Sequence, residues 1–192
     1  SISANETLHS RIDSLSSLVE DQCISWRRTI HKNPELSGEE FETALLIVNE
    51  LKDMGIEVEE NVGGRGVVGI LRGQRDYPVV ALRADMDALP MPEPEKTEIP
   101  FASKKSVDLN GKEIFVMHAC GHDCHVSMLL GAAKVLSQIR DELRGTVKFI
   151  FQPAEESGSG AKAMINDGVL ESPRPDAIFA LHVWQNATGT LS

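Results

Sequence analysis

The sequence predicts an α/β fold in which helices lie on both sides of a mixed, mostly parallel sheet. Apolar runs that resemble strands alternate along the chain with segments of helical periodicity, which is typical of a layered α/β domain. Three of these runs end in acids or histidine, and sites in open α/β sheets lie at the carboxyl ends of strands. The chain has 192 residues, 41% of them hydrophobic, so we expect residues 1–192 to form one domain with a sizeable core.

The charge and the cysteine content exclude several classes of partner. A net charge of −10 argues against nucleic acid and against an anionic membrane surface. No apolar run of about 18 residues predicts a membrane span, and no signal peptide is visible. Three cysteines, two of them in one short motif, argue against a disulfide framework. We therefore expect a reducing compartment, the cytoplasm.

The chain is expected to begin with two helices. Apolar residues recur at spacings of three and four from Leu8 to Ile30, which predicts a helix over roughly residues 5–31 with Cys23 as a core thiol. Pro34 ends this helix, because proline disfavours the helical region for the residue before it.

Residues 37–40 have the spacing of a capping box. This spacing predicts that Ser37 caps the second helix and that Glu40 returns the hydrogen bond. Gly55 is expected just after the end of that helix.

Five segments are predicted as strands. The third of them ends at Arg83, Asp85 and Asp87. Two acids and an arginine at a strand end suit the binding or orientation of metal ligands, and they suit equally a solvated turn with a local ion pair. The proline-rich residues 89–101 predict an ordered loop without regular structure, and Asn110-Gly111 predicts a turn. The predicted strands are 56–59, 67–71, 79–82, 146–151 and 176–182.

Residues 117–125 carry three histidines, two cysteines and an aspartate. Only Gly121 separates Cys120 from His122, and glycine allows the sharp turn that both side chains need to reach one metal or two adjacent metals. The pattern after residue 125 is helical, so the motif lies on the turn into a helix. The positive end of that helix is expected to favour a thiolate at Cys120.

Two other strand ends add carboxylates and a histidine. Residues 146–151 lead to Glu155 and Glu156, and residues 176–182 end at His182. A lone His182 is most often a core residue, and a lone pair of glutamates is usually a solvated turn. Together with Cys120 and His122 they predict a site for one or two ions of zinc or a similar metal. Glu155 is the candidate base, and the other four residues are the candidate ligands.

Several motifs, in one order along the chain, resemble a known family. It is the amidohydrolase branch of the aminoacylase/carboxypeptidase zinc-peptidase family, which includes hippurate hydrolases, N-acyl-amino-acid amidohydrolases and auxin-conjugate hydrolases. The residues that carry the resemblance are 28–36, 82–90, 117–125, 151–156 and 180–183.

The resemblance implies two divalent metal ions (Zn, Mn, Co or Ni) and hydrolysis of the amide bond of a small N-acyl amino acid. It places a base at Glu155 and a site-orienting aspartate at Asp87, and it places metal ligands at Cys120, His122, Glu156 and His182. It also implies that residues 1–192 are an incomplete catalytic domain, without the lid and dimerisation domain and the last catalytic segment. Self-association is then expected through exposed apolar surface.

Two alternatives belong to other classes of protein. The first is a catalytically silent metal-binding module that associates with itself or with a partner. The second is a thiol-redox protein, which requires Cys120 and Cys124 to pair. The histidines and aspartate beside these cysteines argue against the second alternative.

Overall fold

The structure is a computed structural model that describes residues 7–184. The predicted start of the first helix at residue 5 lies outside the described residues. None of the described helices is both long enough and apolar enough to cross a membrane. The elements are α1 (Leu8–Lys32), α2 (Phe41–Asp53), β1 (Glu57–Val62), β2 (Gly66–Arg72), β3 (Val79–Asp85), β4 (Ser106–Leu109), β5 (Lys112–Phe115), α3 (His122–Gln138), a 3-10 turn (Arg140–Glu142), β6 (Thr146–Gln152), α4 (Gly160–Asn166) and β7 (Ala177–Ala180).

The central sheet has the strand order β1-β2-β6-β3-β7. Strands β6 and β7 run parallel to β3, whereas β2 is antiparallel to both of its neighbours. Every strand except β2 therefore points the same way, which confirms the predicted mixed, mostly parallel sheet. The register pairs Asp85 of β3 with Gln152 of β6, and Arg83 with Ala180 of β7. The carboxyl ends of these three strands thus lie side by side.

Helices cover both faces of the sheet, as predicted. On one face, α1, α2 and α3 pack on a core that includes Phe149 and Phe151 of β6. On the other face, α4 contributes Met164 to a smaller core with Val68 and Ile150. Because successive residues of β6 point to opposite faces, both sets must be apolar, which explains the continuous apolar run of this strand.

A close approach of α1 and α3 involves the predicted core thiol. Cys23 packs against the main core, as expected from its position on the apolar stripe of α1. A Cβ atom at Gly131 of α3 would lie 2.6 Å from the Cys23 Sγ atom. Glycine at this position therefore allows the two helices to pack against each other.

The predicted capping box is wrong. Helix α2 begins after Glu40, and no side chain of its N-cap residue bonds to the helix. The Glu35 carboxylate accepts the N–H groups of Glu42 and Thr43 instead, at 3.0 and 2.9 Å. A turn over residues 36–39 brings Glu35 to the helix start, and this arrangement leaves Ser37 and Glu40 available for other contacts.

The structure adds a hairpin to the predicted turn at Asn110 and shortens the last predicted strand. The Asn110-Gly111 turn is confirmed, with φ values of 59° and 79°, and it joins a hairpin of β4 and β5 that the polar sequence did not predict. Strand β7 ends at Ala180, so His182 lies beyond the strand rather than inside it. Residues 89–101 form the irregular loop that was expected, and Leu89 is anchored by a bridge to Met117.

Candidate metal centre

The side chains predicted as metal ligands come together at the ends of β6, β7 and the turn before α3. Ligand atoms of Cys120, His122 and His182 all lie within 4.8 Å of one another. A second group with the same spacing consists of His122, Glu155 and Glu156. The two groups share His122, so all five predicted residues face one region.

Gly121 makes this convergence possible. Its φ of 86° lies in the left-handed region, which residues with a side chain rarely adopt. A Cβ atom here would also lie 2.3 Å from the Cγ2 atom of Val183, the residue after His182. The glycine therefore permits both the turn between Cys120 and His122 and the approach of the segment that carries His182.

The His122 ring offers one nitrogen to the centre of the site. Its Nδ1 lies 2.8 Å from the Asp87 carbonyl oxygen, which can only accept, so Nδ1 carries the proton. Its Nε2 is buried and has no hydrogen-bond partner among residues 7–184. This nitrogen lies 3.6 Å from Asp85 and 3.8 Å from a carboxylate oxygen of each of Glu155 and Glu156. A buried imidazole nitrogen that faces three carboxylates and has no hydrogen-bond partner among the described residues fits a site for a divalent cation.

The His182 ring is oriented in the same way. Its Nδ1 donates to the carbonyl oxygen of Val183 at 2.7 Å, so Nε2 is the nitrogen that remains for the site. That Nε2 lies 3.6 Å from the Cys120 Sγ atom. A thiol, two imidazoles and carboxylates form a donor set that suits zinc and related metals.

The charge of the site contradicts one expectation about Cys120. Burial and the negative charge of Glu156 raise the pKa of this thiol to about 11, with Asp85 and Glu155 adding to the effect. The expectation that the helix end favours a thiolate was therefore wrong for the protein without metal, because burial and the nearby carboxylates both favour the neutral thiol. Such a concentration of acidic groups favours a bound cation.

Asp87 connects three parts of the site. Its Oδ2 atom accepts the Ser37 hydroxyl at 2.6 Å and the Glu156 N–H at 3.0 Å, and its Oδ1 atom lies 3.2 Å from His122 Nδ1. Burial would raise the pKa of Asp87, but the hydrogen bonds from His122 and Ser37 lower it below its ordinary value. Only 1% of the residue is exposed, so the solvated-turn interpretation does not apply.

Glu40 supports the turn that carries the two glutamates, a role that no local sequence pattern indicates. It is fully buried, and its Oε1 atom accepts the Ala154 N–H at 2.8 Å. Ala154 has a φ of 52°, a conformation that costs energy for a residue with a side chain. Burial raises the pKa of Glu40. An acid in the acidic segment 39–42 is ordinarily solvated, so only the tertiary structure identifies Glu40 as a buried residue of the site.

His125 and Asp85 were also missed as contributors to the site. Their side chains bond at 2.6 Å, between Nδ1 and Oδ1. Burial would raise the pKa of Asp85, but the bond from His125 and the charges of His122 and Arg83 lower it to about 2. One signal was available: His125 lies in the motif three positions after His122, and such residues share a helix face.

His31 holds the proline-rich loop beside the site. Its Nδ1 lies 2.8 Å from Asp123, and its Nε2 lies 3.0 Å from Glu93 of the loop. The bond to Asp123 and the charges of both acids raise the pKa of His31 despite burial. The protonated ring therefore links the loop to α1 and α3.

A mixed sheet of this topology, with thiol, imidazole and carboxylate groups gathered at its strand ends, is the arrangement of a metallopeptidase-class domain. The chain belongs to the peptidase family M20/M25/M40, whose family model matches residues 81–190.

The chain is similar in sequence to named proteins and to a protein of known structure. IAA-amino acid hydrolase ILR1-like 5 of Arabidopsis thaliana is 50% identical over 163 residues, which cover 85% of this chain and 34% of the relative. N-acetyl-L-cysteine deacetylase of Bacillus subtilis is 45% identical over 166 residues, which cover 86% of this chain and 37% of the relative. The crystal structure of the Bacillus subtilis YXEP protein, described as a dinuclear metal binding peptidase, has a TM-score of 0.75 at 42% identity, over 88% of this chain and 43% of that one. The chain thus spans well under half the length of these proteins.

Proposed function

We propose that the protein containing this chain hydrolyses the amide bond of small N-acyl amino acids at a site for two divalent metal ions. One observation carries the proposal: Cys120, His122, His182 and the two glutamates converge around an unpartnered imidazole nitrogen. The names of the relatives support it, since one is an N-acetyl-L-cysteine deacetylase and another an IAA-amino acid hydrolase.

The proposed ligands are Cys120, His122, Glu156 and His182. Two ligand groups that share His122 support a pair of ions, as does the dinuclear description of the YXEP protein. The donor set is compatible with Zn, Mn, Co or Ni, and thiolate and imidazole ligands disfavour Mg and Ca.

The two glutamates are equally far from His122 Nε2, so distance does not assign their roles. Their surroundings differ. Glu156 has its N–H bound to Asp87, and its side chain, which is 21% exposed, adds to the raised pKa of the Cys120 thiol. The Glu155 side chain is 42% exposed. We therefore assign Glu156 as the ligand and Glu155, on the open side, as the base.

The residues then divide the work of amide hydrolysis. Bound divalent ions would supply Lewis-acid polarisation of the substrate carbonyl and acidify water. Glu155 would accept the proton of the attacking water and return it to the leaving amine. Asp87 would keep His122 and the Glu156 backbone in place, which makes it an orienting residue.

Paired variants test the assignment of the glutamates. Glu155→Gln should retain the metal content of the wild type and lose turnover, whereas Glu156→Gln should lose metal as well. The measurements are metal content by mass spectrometry and hydrolysis of N-acetyl, N-benzoyl and indole-acetyl amino acids. If Glu155→Gln loses metal and Glu156→Gln keeps it, the two roles are reversed.

The same assay on the wild type distinguishes the alternatives. Turnover that a chelator abolishes and Zn²⁺, Mn²⁺ or Co²⁺ restores would support the hydrolase. Metal without turnover would favour a silent module, or the expected need for a lid domain, which adding the remainder of the protein would reveal. Absence of both would remove the basis of the proposal.

A further inference from the structure

The peptide of Val183 is held on both of its sides by histidines. Its N–H lies 3.0 Å from His125 Nε2, and its carbonyl oxygen lies 2.7 Å from His182 Nδ1. A peptide N–H can only donate and a carbonyl can only accept. These two bonds therefore require His125 to be unprotonated at Nε2 and His182 to be protonated at Nδ1.

His125 uses both of its nitrogens within the protein. Since Nε2 accepts from Val183, its Nδ1 is the donor to Asp85 at 2.6 Å. His122 and His182 use Nδ1 for backbone carbonyl oxygens; the Nε2 atom of His122 has no hydrogen-bond partner among the described residues, and that of His182 contacts Cys120 Sγ. Although His125 belongs to the same motif and is close enough to group with His122 and Asp85, its bonds give it a different task.

A chain of hydrogen bonds fixes the His125 ring. Asp85 also accepts from Arg83 Nη1 at 2.7 Å, and Arg83 donates through Nε and Nη2 to Gln152 at 2.9 and 2.7 Å. We call Gln152, Arg83, Asp85 and His125 the strand-end network. It links the ends of β6 and β3 to α3, and each of these bonds pairs a donor with an acceptor.

His182 needs such an anchor because it stands outside the regular structure. Pairing of β7 with β3 ends at Ala180, and His182 itself is exposed. Its ring lies against that of His125, with centroids 4.6 Å apart. We infer that His125 is a positioning residue: through the Val183 peptide it directs His182 Nε2 toward Cys120. This inference rests on the proposed function, because it concerns the orientation of a proposed metal ligand.

Two variants of His125 separate its two hydrogen bonds. Asparagine places an amide N–H near the position of Nδ1, so His125→Asn keeps the bond to Asp85 and loses the bond to Val183. Glutamine is one bond longer and places an oxygen near the position of Nε2, so His125→Gln keeps the acceptor for Val183. Only the first variant should release the His182 ring.

Two readouts test the inference, and the first requires no metal. Nitrogen-15 NMR of labelled histidine should show Nδ1–H tautomers for both His125 and His182, and His125→Asn should change the His182 tautomer. In Co²⁺ titrations, His125→Asn should weaken affinity about 10- to 100-fold and reduce the thiolate-to-cobalt absorption band, and His125→Gln should lose clearly less of both because it keeps the acceptor for Val183.

Three results would overturn the inference: an Nε2–H tautomer of His125, wild-type cobalt affinity in His125→Asn, or equal losses in both variants. The last would mean that His125 acts through packing or Asp85. A wild type that binds no Co²⁺ would instead refute the proposed function, and the effect of His125→Asn on the His182 tautomer would still decide the positioning role.

Discussion

Replacing Asp87 by asparagine should weaken metal binding while leaving the fold intact. The Asp87 carboxylate accepts from three donors, Ser37, the Glu156 N–H and His122, at 2.6, 3.0 and 3.2 Å. Asparagine has one acceptor oxygen, so its best orientation keeps the bonds to Ser37 and Glu156 and turns its NH₂ group toward His122 Nδ1. The backbone carbonyl of residue 87 still accepts from His122 at 2.8 Å, so the ring is loosened rather than released.

The expected magnitude follows from one lost hydrogen bond. A bond to a charged group contributes about 1.5–3 kcal/mol, which corresponds to a loss of about 10- to 100-fold in metal affinity. Isothermal titration of Zn²⁺ into metal-free wild type and Asp87→Asn measures it directly, with circular dichroism to confirm that both are folded.

A matched control exists at the opposite end of the sheet. Asp176 also accepts a backbone N–H, that of Val79, at 2.8 Å, but it lies at the start of β7. Asp176→Asn should lower the unfolding temperature without changing metal affinity. If Asp87→Asn binds metal as tightly as the wild type, or if Asp176→Asn weakens binding equally, the orienting role of Asp87 is refuted.

Three more predictions concern the surroundings of the site. Gly121→Ala should lower the free energy of unfolding by about 1–2 kcal/mol, because residue 121 has a left-handed φ. It should also weaken metal binding, because the added Cβ atom displaces Val183. Thermal unfolding and Co²⁺ titration measure the two effects, and a variant with unchanged stability and affinity would contradict both. Because the pKa of His31 is raised in the folded state, the stability that its bond to Asp123 contributes is fully present below pH 6.5 and is lost as pH rises through the folded pKa. In urea unfolding, His31→Gln should therefore destabilise the protein more at about pH 5.5 than at about pH 9. Equal losses of stability at the two pH values would refute this role of His31. Because burial raises the pKa of Glu40, ionisation of its carboxyl group lowers the stability of the protein as pH rises above 4.5. The stability of Glu40→Gln relative to the wild type should therefore increase from about pH 4 to about pH 8. A difference in stability that does not change with pH would argue against a buried acid.

Local sequence patterns were sufficient for most of the fold. Helical spacing, apolar runs and turn residues depend on neighbours a few positions apart, so α1, α3, the strands of the sheet and the turn at Asn110 followed from the sequence. The predictions failed where residues that are not neighbours in the sequence make the contact. The capping box at Ser37 had the right spacing, but the Glu35 carboxylate accepts the N–H groups at the start of α2.

The residue types of the candidate site were also predictable from the sequence, whereas their hydrogen-bond partners were not. The sequence by itself determined that carboxylates and His182 follow strands and that Cys120 and His122 stand at the turn into a helix, so these groups were predicted to form one site. Only the tertiary structure decided which partner each polar group takes. Asp87 bonds to Ser37 across fifty positions of the chain, and His125 bonds to Val183 across fifty-eight, so no local pattern encodes these contacts. Hydrogen bonds are directional and short, and the assignment of ligand and positioning roles therefore depends on the folded arrangement of the backbone.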